Sequence, residues 1–429
     1  MRLVSLIYQG LVRIGADLKP AADLAHKWSV DGDMHTFYIS QKTKFSDGSS
    51  LTCKDLKQSI TNYQDKKCPF NSAFKNITDL NCSTSAPDFV LSFNTPTDSE
   101  KFLLADLPVL KIKKGELGTG AFTISENEPT HTILKKNSFN LTPQEYDLKF
   151  FYLKDDLARF LKVYKGEIDI APNSIPFEKV RSFSKTKMKV LEKPSLSTAY
   201  ILINFKNKAL QNLDTRKTIY SALNIPELVE HRFDNHVTLA KSLLSPEHPY
   251  YSKNLKNLHH QGAKKNISIP KLTFKTSNAR QTRETGKIMS YKFKNSGIET
   301  NLQSFEWGTF YKDVKNGRFD IALMKWVGVV DPDLYNLAFH SSEFPPGRNR
   351  GYYNNPSLDS TLELGRKSKS QTERIQTYTK AQDTVFKDLA IIPLWHENQI
   401  HIVHPRIKKY KLNPMGDFTS FLNLNIERD

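Results

Sequence analysis

One short plan occurs twice in this chain, and it limits the possible folds more than any other feature. From Asp156 to Ala171, Leu157, Phe160, Leu161 and Tyr164 share one face at helical spacing. That segment ends in Lys165-Gly166-Glu167-Ile168-Asp169-Ile170-Ala171. The plan returns from Tyr311 to Ala322, ending in Asn316-Gly317-Arg318-Phe319-Asp320-Ile321-Ala322. Each copy reads as a helix, a stop glycine, and then a strand with an aspartate among apolar residues. Glycine suits the stop because helices commonly end on a left-handed residue. The apolar strand suits a sheet covered on both faces. Two copies so far apart in the chain predict two α/β lobes of similar construction.

The remaining pattern fits that plan. His35–Ser40 alternates after the turn Asp31-Gly32-Asp33 and reads as a strand. Thr52 followed by Asp55 is a capping-box variant opening a helix with Leu56, Ile60 and Tyr63 on its face. Short strands are expected at Phe89–Phe93, His131–Lys135 and Asp147–Leu153. Thr198–Phe205 is a strong strand, and Asp214 is expected to cap the next helix. Leu272–Thr276 is a strand, then a helix runs through Met289 to a strand near Glu299–Leu302. Thr372–Leu389 has the period of a long helix, and Ile391–Trp395 reads as a short buried strand.

Composition excludes several classes. At ~150 residues per domain, 429 residues suggest two or three domains. With 38% hydrophobic residues, including 26 Phe and 17 Tyr, the chain has material for real cores. It has no run of ~18 apolar residues that would span a membrane. The net charge of +17 raises the question of nucleic acid. However, its basic clusters (Lys111–Lys114, Lys185–Lys189, Lys264–Lys265, Arg366–Lys369, Arg406–Lys411) are small and scattered, and none carries a nucleic-acid motif. No nucleic-acid partner is expected.

Chemistry-bearing motifs are sparse. The glycines at 115, 118 and 120 are not in dinucleotide order; they suit close backbone approach. His401 and His404 point to opposite faces of an apparent strand, so with His396 they read as structural, and no metal is expected. No nucleophile elbow occurs, and nothing positions Asp155-Asp156 or Asp331 and Asp333 as acid and base. An enzyme and a cofactor are therefore not expected. The three cysteines, Cys53, Cys68 and Cys82, lack zinc spacing. In an oxidising compartment one disulfide, Cys68 to Cys82, is expected with one free thiol; three reduced cysteines are the alternative. The opening Leu3–Val12 reads as the start of a folded helix and shows no signal-peptide pattern. Either the protein is cytoplasmic or its beginning is absent from this chain.

A series of short strings then points to a family. Leu6-Ile7-Tyr8-Gln9-Gly10-Leu11-Val12, Pro20–Asp31, Phe45-Ser46-Asp47-Gly48 with Leu51-Thr52 and Asp55, and Gly118-Thr119-Gly120-Ala121-Phe122 follow one another. Gly166–Ala171, Tyr200–Asn204, Asp214–Leu223, Trp326 with Asp331-Pro332-Asp333, and Ile392–Asn398 complete the series. In number and order they resemble the extracytoplasmic solute-binding proteins of ABC importers, in the oligopeptide/dipeptide/nickel-binding family (family 5). The resemblance implies an α/β, two-lobed periplasmic-binding-protein-like fold (type II, cluster C) with a hinge. Lobe I would comprise residues 1–196 and 396–429, with a shortened extra subdomain near 53–115, and lobe II residues 197–395.

The resemblance also implies a function. A monomer outside the cytoplasm, periplasmic or membrane-anchored, would close around a peptide or peptide-like solute between its lobes. It would deliver that solute to an ABC permease in the inner membrane, and its leader would be missing from this chain. The residues expected at the ligand are Tyr8, Thr119, Gly120, Tyr200, Asn204, Trp307, Trp326, Asp331 and Arg348. Peptide-binding members carry an acidic residue shortly after the tryptophan, which pairs with the peptide α-amino group. Val329 and Val330 stand in that stretch here, so the ligand class stays open. The alternative is the ligand-sensing module of a cytoplasmic transcriptional regulator.

Overall fold

The computed structural model describes residues 3–15, 17–65, 77–95, 117–257, 267–368 and 370–427. The chain divides into two compact units, residues 1–191 with 400–429, and residues 192–399. Much of the expected subdomain near 53–115, Cys68 included, lies outside the described residues.

The first unit opens with a single helical turn, α1 (Val4–Ile7), rather than the longer helix expected. Tyr8 is already extended, with φ −120° and ψ 145°. A hairpin of β1 (Val12–Ile14) and β2 (Pro20–Ala22) follows. β3 (Ala25–Asp31) and β4 (Met34–Ser40) come next, and then α2 (Cys53–Tyr63). β5 (Thr78–Ser85) and β6 (Asp88–Asn94) complete an antiparallel sheet in the order β3-β4-β6-β5. β4 alternates because only one face is covered: Phe37 and Ile39 point into a core with Leu91 and Phe93, closed by Leu56 and Ile60 of α2. The Thr52–Asp55 capping box forms as expected. The Thr52 hydroxyl accepts from the Asp55 N–H at 3.3 Å, and the Asp55 carboxylate accepts from the Thr52 N–H at 3.0 Å.

Cys53, at the start of α2, is bonded to Cys82 of β5, with Cα atoms 5.5 Å apart. The expected Cys68–Cys82 pair is thereby corrected. α2 packs against β5, which puts the first and third cysteines within bonding distance although they are furthest apart in sequence.

A three-stranded meander follows: β7 (Phe122–Glu128), β8 (His131–Lys136) and β9 (Leu148–Phe151). Phe122 and Leu134 pack with Leu6, Ile7 and Phe421. α3 (Asp156–Tyr164) is capped by Asp155, whose carboxylate accepts from the Ala158 N–H at 2.7 Å. Its buried contacts come from Val163 and partly from Phe160, which meets Phe183 edge-on. The expected apolar face is thus turned largely outward, with Leu157, Leu161 and Tyr164 exposed. Gly166 stops the helix at φ +74°, and β10 (Ile170–Pro172) follows.

The chain enters the second unit within β11 (Lys189–Ile203). α4 (Leu213–Leu223) is capped by Asn212 rather than Asp214; the Asn212 side chain accepts from the Asp214 N–H, and Asp214 sits in the first turn. After β12 (Val237–Leu239), two crossovers build the sheet. β13 (Leu272–Ser277) leads through α5 (Arg280–Asn295) to its parallel neighbour β14 (Thr300–Phe305). α6 (Trp307–Lys315) then leads to β15 (Ile321–Trp326), parallel to β13 on its other side. α7 (Pro356–Lys367) and α8 (Gln371–Lys387) precede β16 (Ile391–Val403), which returns the chain to the first unit. The strand order is β10-β16-β11-β15-β13-β14, with β12 also on β16. β16 is far longer than the expected Ile391–Trp395, and its last residues pair with β10.

The repeated plan has a common internal logic. In the first copy the Asp169 carboxylate receives the Arg406 guanidinium at 2.6 and 2.8 Å, and its carbonyl accepts the His404 N–H at 2.7 Å. In the second copy the Asp320 carboxylate accepts the Thr273 N–H at 2.7 Å and the Asn207 amide at 2.8 Å, and its carbonyl accepts the Asn204 N–H at 3.0 Å. The shared aspartate ties the turn ahead of each strand to neighbouring chain. Gly317 repeats the left-handed stop at φ +68°.

Candidate functional site

In the second unit, three of the expected residues converge. Tyr200 on β11 pairs in register with Met324 on β15, and Thr198 with Trp326. Side chains two apart on a strand share a face, so Tyr200, Leu202, Met324 and Trp326 line one wall of a narrow pocket. The opposite wall is the loop carrying Arg348 and Arg350. The free space, about 20 Å³, holds little more than one water. No lining residue is acidic.

The loop is held by a residue that the sequence did not single out. Asn349 is fully buried, and its amide donates to the carbonyls of His340 (3.1 Å) and Tyr353 (2.8 Å). Its side-chain oxygen accepts the Tyr353 N–H at 3.2 Å. Gly351 lies so close to β11 that a Cβ there would sit 2.6 Å from the Ile203 carbonyl oxygen. Asn349 thus fixes the backbone between the two arginines.

Arg350 is the main residue that sequence reasoning missed. Its guanidinium donates to the Tyr311 hydroxyl at 2.5 Å and lies 4.5 Å from that ring's centre. Trp307 stacks on Tyr311, with centroids 5.5 Å apart and planes 20° apart, and is 53% exposed. The Arg348 guanidinium has no partner among the described residues. Burial pushes the Tyr200 phenol up from its ordinary range, so the hydroxyl stays protonated and can donate. Two guanidiniums, a phenol and flat aromatic faces, with no carboxylate among them, have the chemistry to pair with a planar anion such as a carboxylate.

Two expected residues of this unit are already committed. The Asn204 amide donates to the carbonyls of Gly317 (3.1 Å) and Phe319 (2.7 Å), bracing the turn before β15. Asp331 accepts from Arg374 at 3.1 and 3.3 Å and from the Asp333 N–H at 2.7 Å. Its neighbour Asp333 accepts from the Tyr378 hydroxyl at 3.0 Å.

In the first unit, Tyr8, Thr119 and Gly120 form a tight backbone knot. The Gly120 N–H donates to Ile7 O at 2.9 Å, and its carbonyl accepts the Asn137 amide at 2.8 Å. The Thr119 carbonyl accepts the Asn140 amide at 2.8 Å, and Thr119 is 1% exposed. Tyr8 is half-buried beside Gly118. These groups serve the knot between α1 and β7. The close approach expected of Gly118 and Gly120 is its basis; Gly115 lies outside the described residues.

Comparison with known proteins bears on the whole chain. The family model for bacterial extracellular solute-binding proteins, family 5 (middle) matches residues 18–345. The chain belongs to that family. A probable di/tripeptide-binding protein 5 of Pseudomonas aeruginosa is 22% identical, over 92% of this chain and 85% of that one. Among solved structures, a putative peptide-binding protein AppA from Clostridium difficile superposes with a TM-score of 0.87 at 18% identity, covering 99% and 96% of the two chains. The oligopeptide-binding protein AppA from Bacillus subtilis, in complex with a nonapeptide, gives 0.78 at 20% identity, covering 100% and 94%. The fold is therefore the α/β fold of family 5 solute-binding proteins.

In this family 5 protein, His401 and His396 of β16 have hydrogen-bond partners of their own. Among the described residues, no three His, Cys, Asp or Glu side chains are grouped to hold a metal, and no helix is long and apolar enough to cross a membrane. His401 Nδ1 is bonded to the Tyr410 hydroxyl at 2.7 Å. His396 is fully buried on β16, with Nδ1 2.8 Å from Thr198 Oγ1. The Thr198 proton goes to the Leu243 carbonyl at 2.9 Å, so Thr198 accepts from a protonated Nδ1, and burial keeps the imidazole neutral.

Burial pushes the His396 pKa down to about 3. Its ordinary value is ~6.5. Between these values the unfolded chain binds a proton that the folded chain refuses. The stability from this group is full at neutral pH and falls as pH drops below the unfolded value. From pH 7 to 4.5 the loss is expected to be about 2.5 kcal/mol. Urea unfolding of wild type and His396→Gln at both pH values checks this. The variant's loss should be clearly smaller, and parallel losses would contradict the assignment.

Proposed function

We propose that this protein captures a small carboxylate-bearing solute, a peptide or peptide-like molecule, outside the cytoplasm and delivers it to an ABC importer. Membership of family 5 and the similarity to relatives named for peptides support the role. The observation that carries the ligand class is the pair Arg348 and Arg350, set among Tyr200, Tyr311, Trp307 and Trp326 with no acid lining the pocket. The guanidiniums would take the ligand carboxylate, and the aromatic faces its apolar parts. The segment after Trp326 is Val327-Gly328-Val329-Val330, and Asp331 is bound by Arg374, so no carboxylate there is free for a ligand amine.

Titration calorimetry with trialanine, its C-terminal amide and its N-acetyl form tests the reading. The amide is expected to bind at least about tenfold more weakly, the N-acetyl form within a few-fold of the parent, and Arg350→Ala to lose about 2–3 kcal/mol of binding. Equal binding of the amide and the free acid would sink the carboxylate reading.

A further inference from the structure

A second recess lies wholly within the first unit, built from the two ends of the chain. β1 supplies Arg13 and Ile14, the segment after β16 supplies Lys408, Lys409 and Lys411, and Leu422 helps to close the far side. Its volume is about 510 Å³, in the range of small-molecule sites. The basic cluster at Arg406–Lys411 reads in sequence as a solvated surface; the fold brings a further arginine to it from the opposite end of the chain. The segment is held in place by backbone bonds from Lys408 N–H to Asn425 O (2.8 Å) and from Glu427 N–H to Arg406 O (2.8 Å). Its aromatic residue, Tyr410, is anchored on His401.

The charge in this recess is one-sided. Four cations line it and no acid does. Of the nearby carboxylates, Glu427 pairs with Lys408 at 2.7 Å. Asp17 accepts the Lys19 N–H at 3.2 Å, and Asp417 accepts from Asn413 and Thr419 at 2.7 and 2.6 Å. Arg13, Lys409 and Lys411 have no carboxylate partner among the described residues. Three unneutralised cations around one concavity focus a positive potential into it. The floor is not purely polar, since Ile14 and Leu422 contribute.

We propose that this recess is a second binding site, separate from the Arg348–Arg350 pocket, for a ligand bearing two or more phosphate-type charges. Arg13 supplies a forked donor suited to a phosphate, and Lys409 and Lys411 supply point charges around it. The phosphate belongs either to a free solute or to an anionic lipid headgroup, and the two sources are separable.

Inorganic pyrophosphate is the probe, titrated at low salt into wild type, Lys409→Gln/Lys411→Gln, Arg13→Gln and Arg348→Gln/Arg350→Gln. Saturable binding is expected in wild type, weakened at least about tenfold by the first two variants and retained in the third. The substituted lysines are exposed, so unchanged melting temperatures confirm that the fold is intact. Sedimentation with phosphatidylcholine vesicles, with and without about a quarter phosphatidylglycerol, separates the sources. Binding to the anionic vesicles that pyrophosphate displaces supports the site with a lipid phosphate. Pyrophosphate binding without vesicle binding supports it with a free one. Absence of saturable pyrophosphate binding, or binding unaffected by the Arg13 and lysine substitutions, overturns the proposal. Loss only in Arg348→Gln/Arg350→Gln also overturns it and leaves the carboxylate site standing.

Discussion

Gly120→Ala is expected to destabilise the protein by about 3 kcal/mol or more, enough to unfold a marginal domain. A Cβ at Gly120 would sit 2.4 Å from the Ile7 carbonyl carbon, 2.5 Å from its oxygen and 2.7 Å from the Leu6 oxygen. All three atoms are backbone, so no rotamer change relieves the clash. Moving α1 away would break the Gly120–Ile7 hydrogen bond and open the core around Leu6 and Phe122. Gly118→Ala meets the same oxygen at 2.1 Å and should behave alike. Gly32→Ala is the control: that glycine has φ +57° but nothing within 4 Å, so only the backbone term applies, about 1–2 kcal/mol. Thermal melts of the three variants decide the matter. A Gly120→Ala protein as stable as the Gly32 control would show that the knot gives way easily.

Arg374→Ala is expected to cost about 3–5 kcal/mol, because it strands a partly buried charge. The Arg374 side chain is 3% exposed and that of Asp331 is 20% exposed. The guanidinium also lies against the rings of Tyr250 and Tyr378, at 5.3 and 5.4 Å. Removing it leaves Asp331 without its countercharge and a gap between two tyrosines. Arg374→Met/Asp331→Asn removes both charges and fills the gap, so much of the loss should return. Urea midpoints for the single and double variants give the coupling directly. The same experiment distinguishes a ligand role for Asp331. A structural Asp331 predicts that Asp331→Asn lowers stability and leaves trialanine affinity near wild type; the reverse outcome would place it at the ligand.

The elements that were legible in sequence are those set by local rules. The Thr52–Asp55 box, the helix of Thr372–Leu389 and the two glycine stops depend on near neighbours, and local chemistry reveals them. The repeated helix–glycine–strand plan predicted two α/β units because each copy must feed a sheet. What failed depends on distance in space. Cys82 pairs with Cys53 because α2 packs on β5, and no spacing rule contains that packing. The Leu157–Tyr164 stripe has helical period, yet periodicity cannot say which side of a helix the rest of the protein covers. Around the Arg348–Arg350 pocket, Tyr200 and Trp326 came from family strings and Arg348 from its side-chain chemistry, whereas Arg350 and Tyr311 were not singled out. The loop Pro345–Gly351 did hold a signal: two arginines flank an asparagine, and a buried asparagine that bonds its own loop sets both of them.

The long strand β16 has a consequence for how the protein is made. Its residues Trp395–Glu397 pair with β12 in the unit spanning 192–399, and its last residues pair with β10 in the other unit. A ribosome therefore finishes neither unit until it has passed the same stretch of message. The amino-terminal part of the first unit, residues 1–191, waits through the whole of the second before β16 is made. Nascent chains arrested before Ile391 should be sensitive to protease in both units, and those released shortly after Val403 resistant in the second. Protease resistance of the second unit is thus expected only late in synthesis, once β16 has been made.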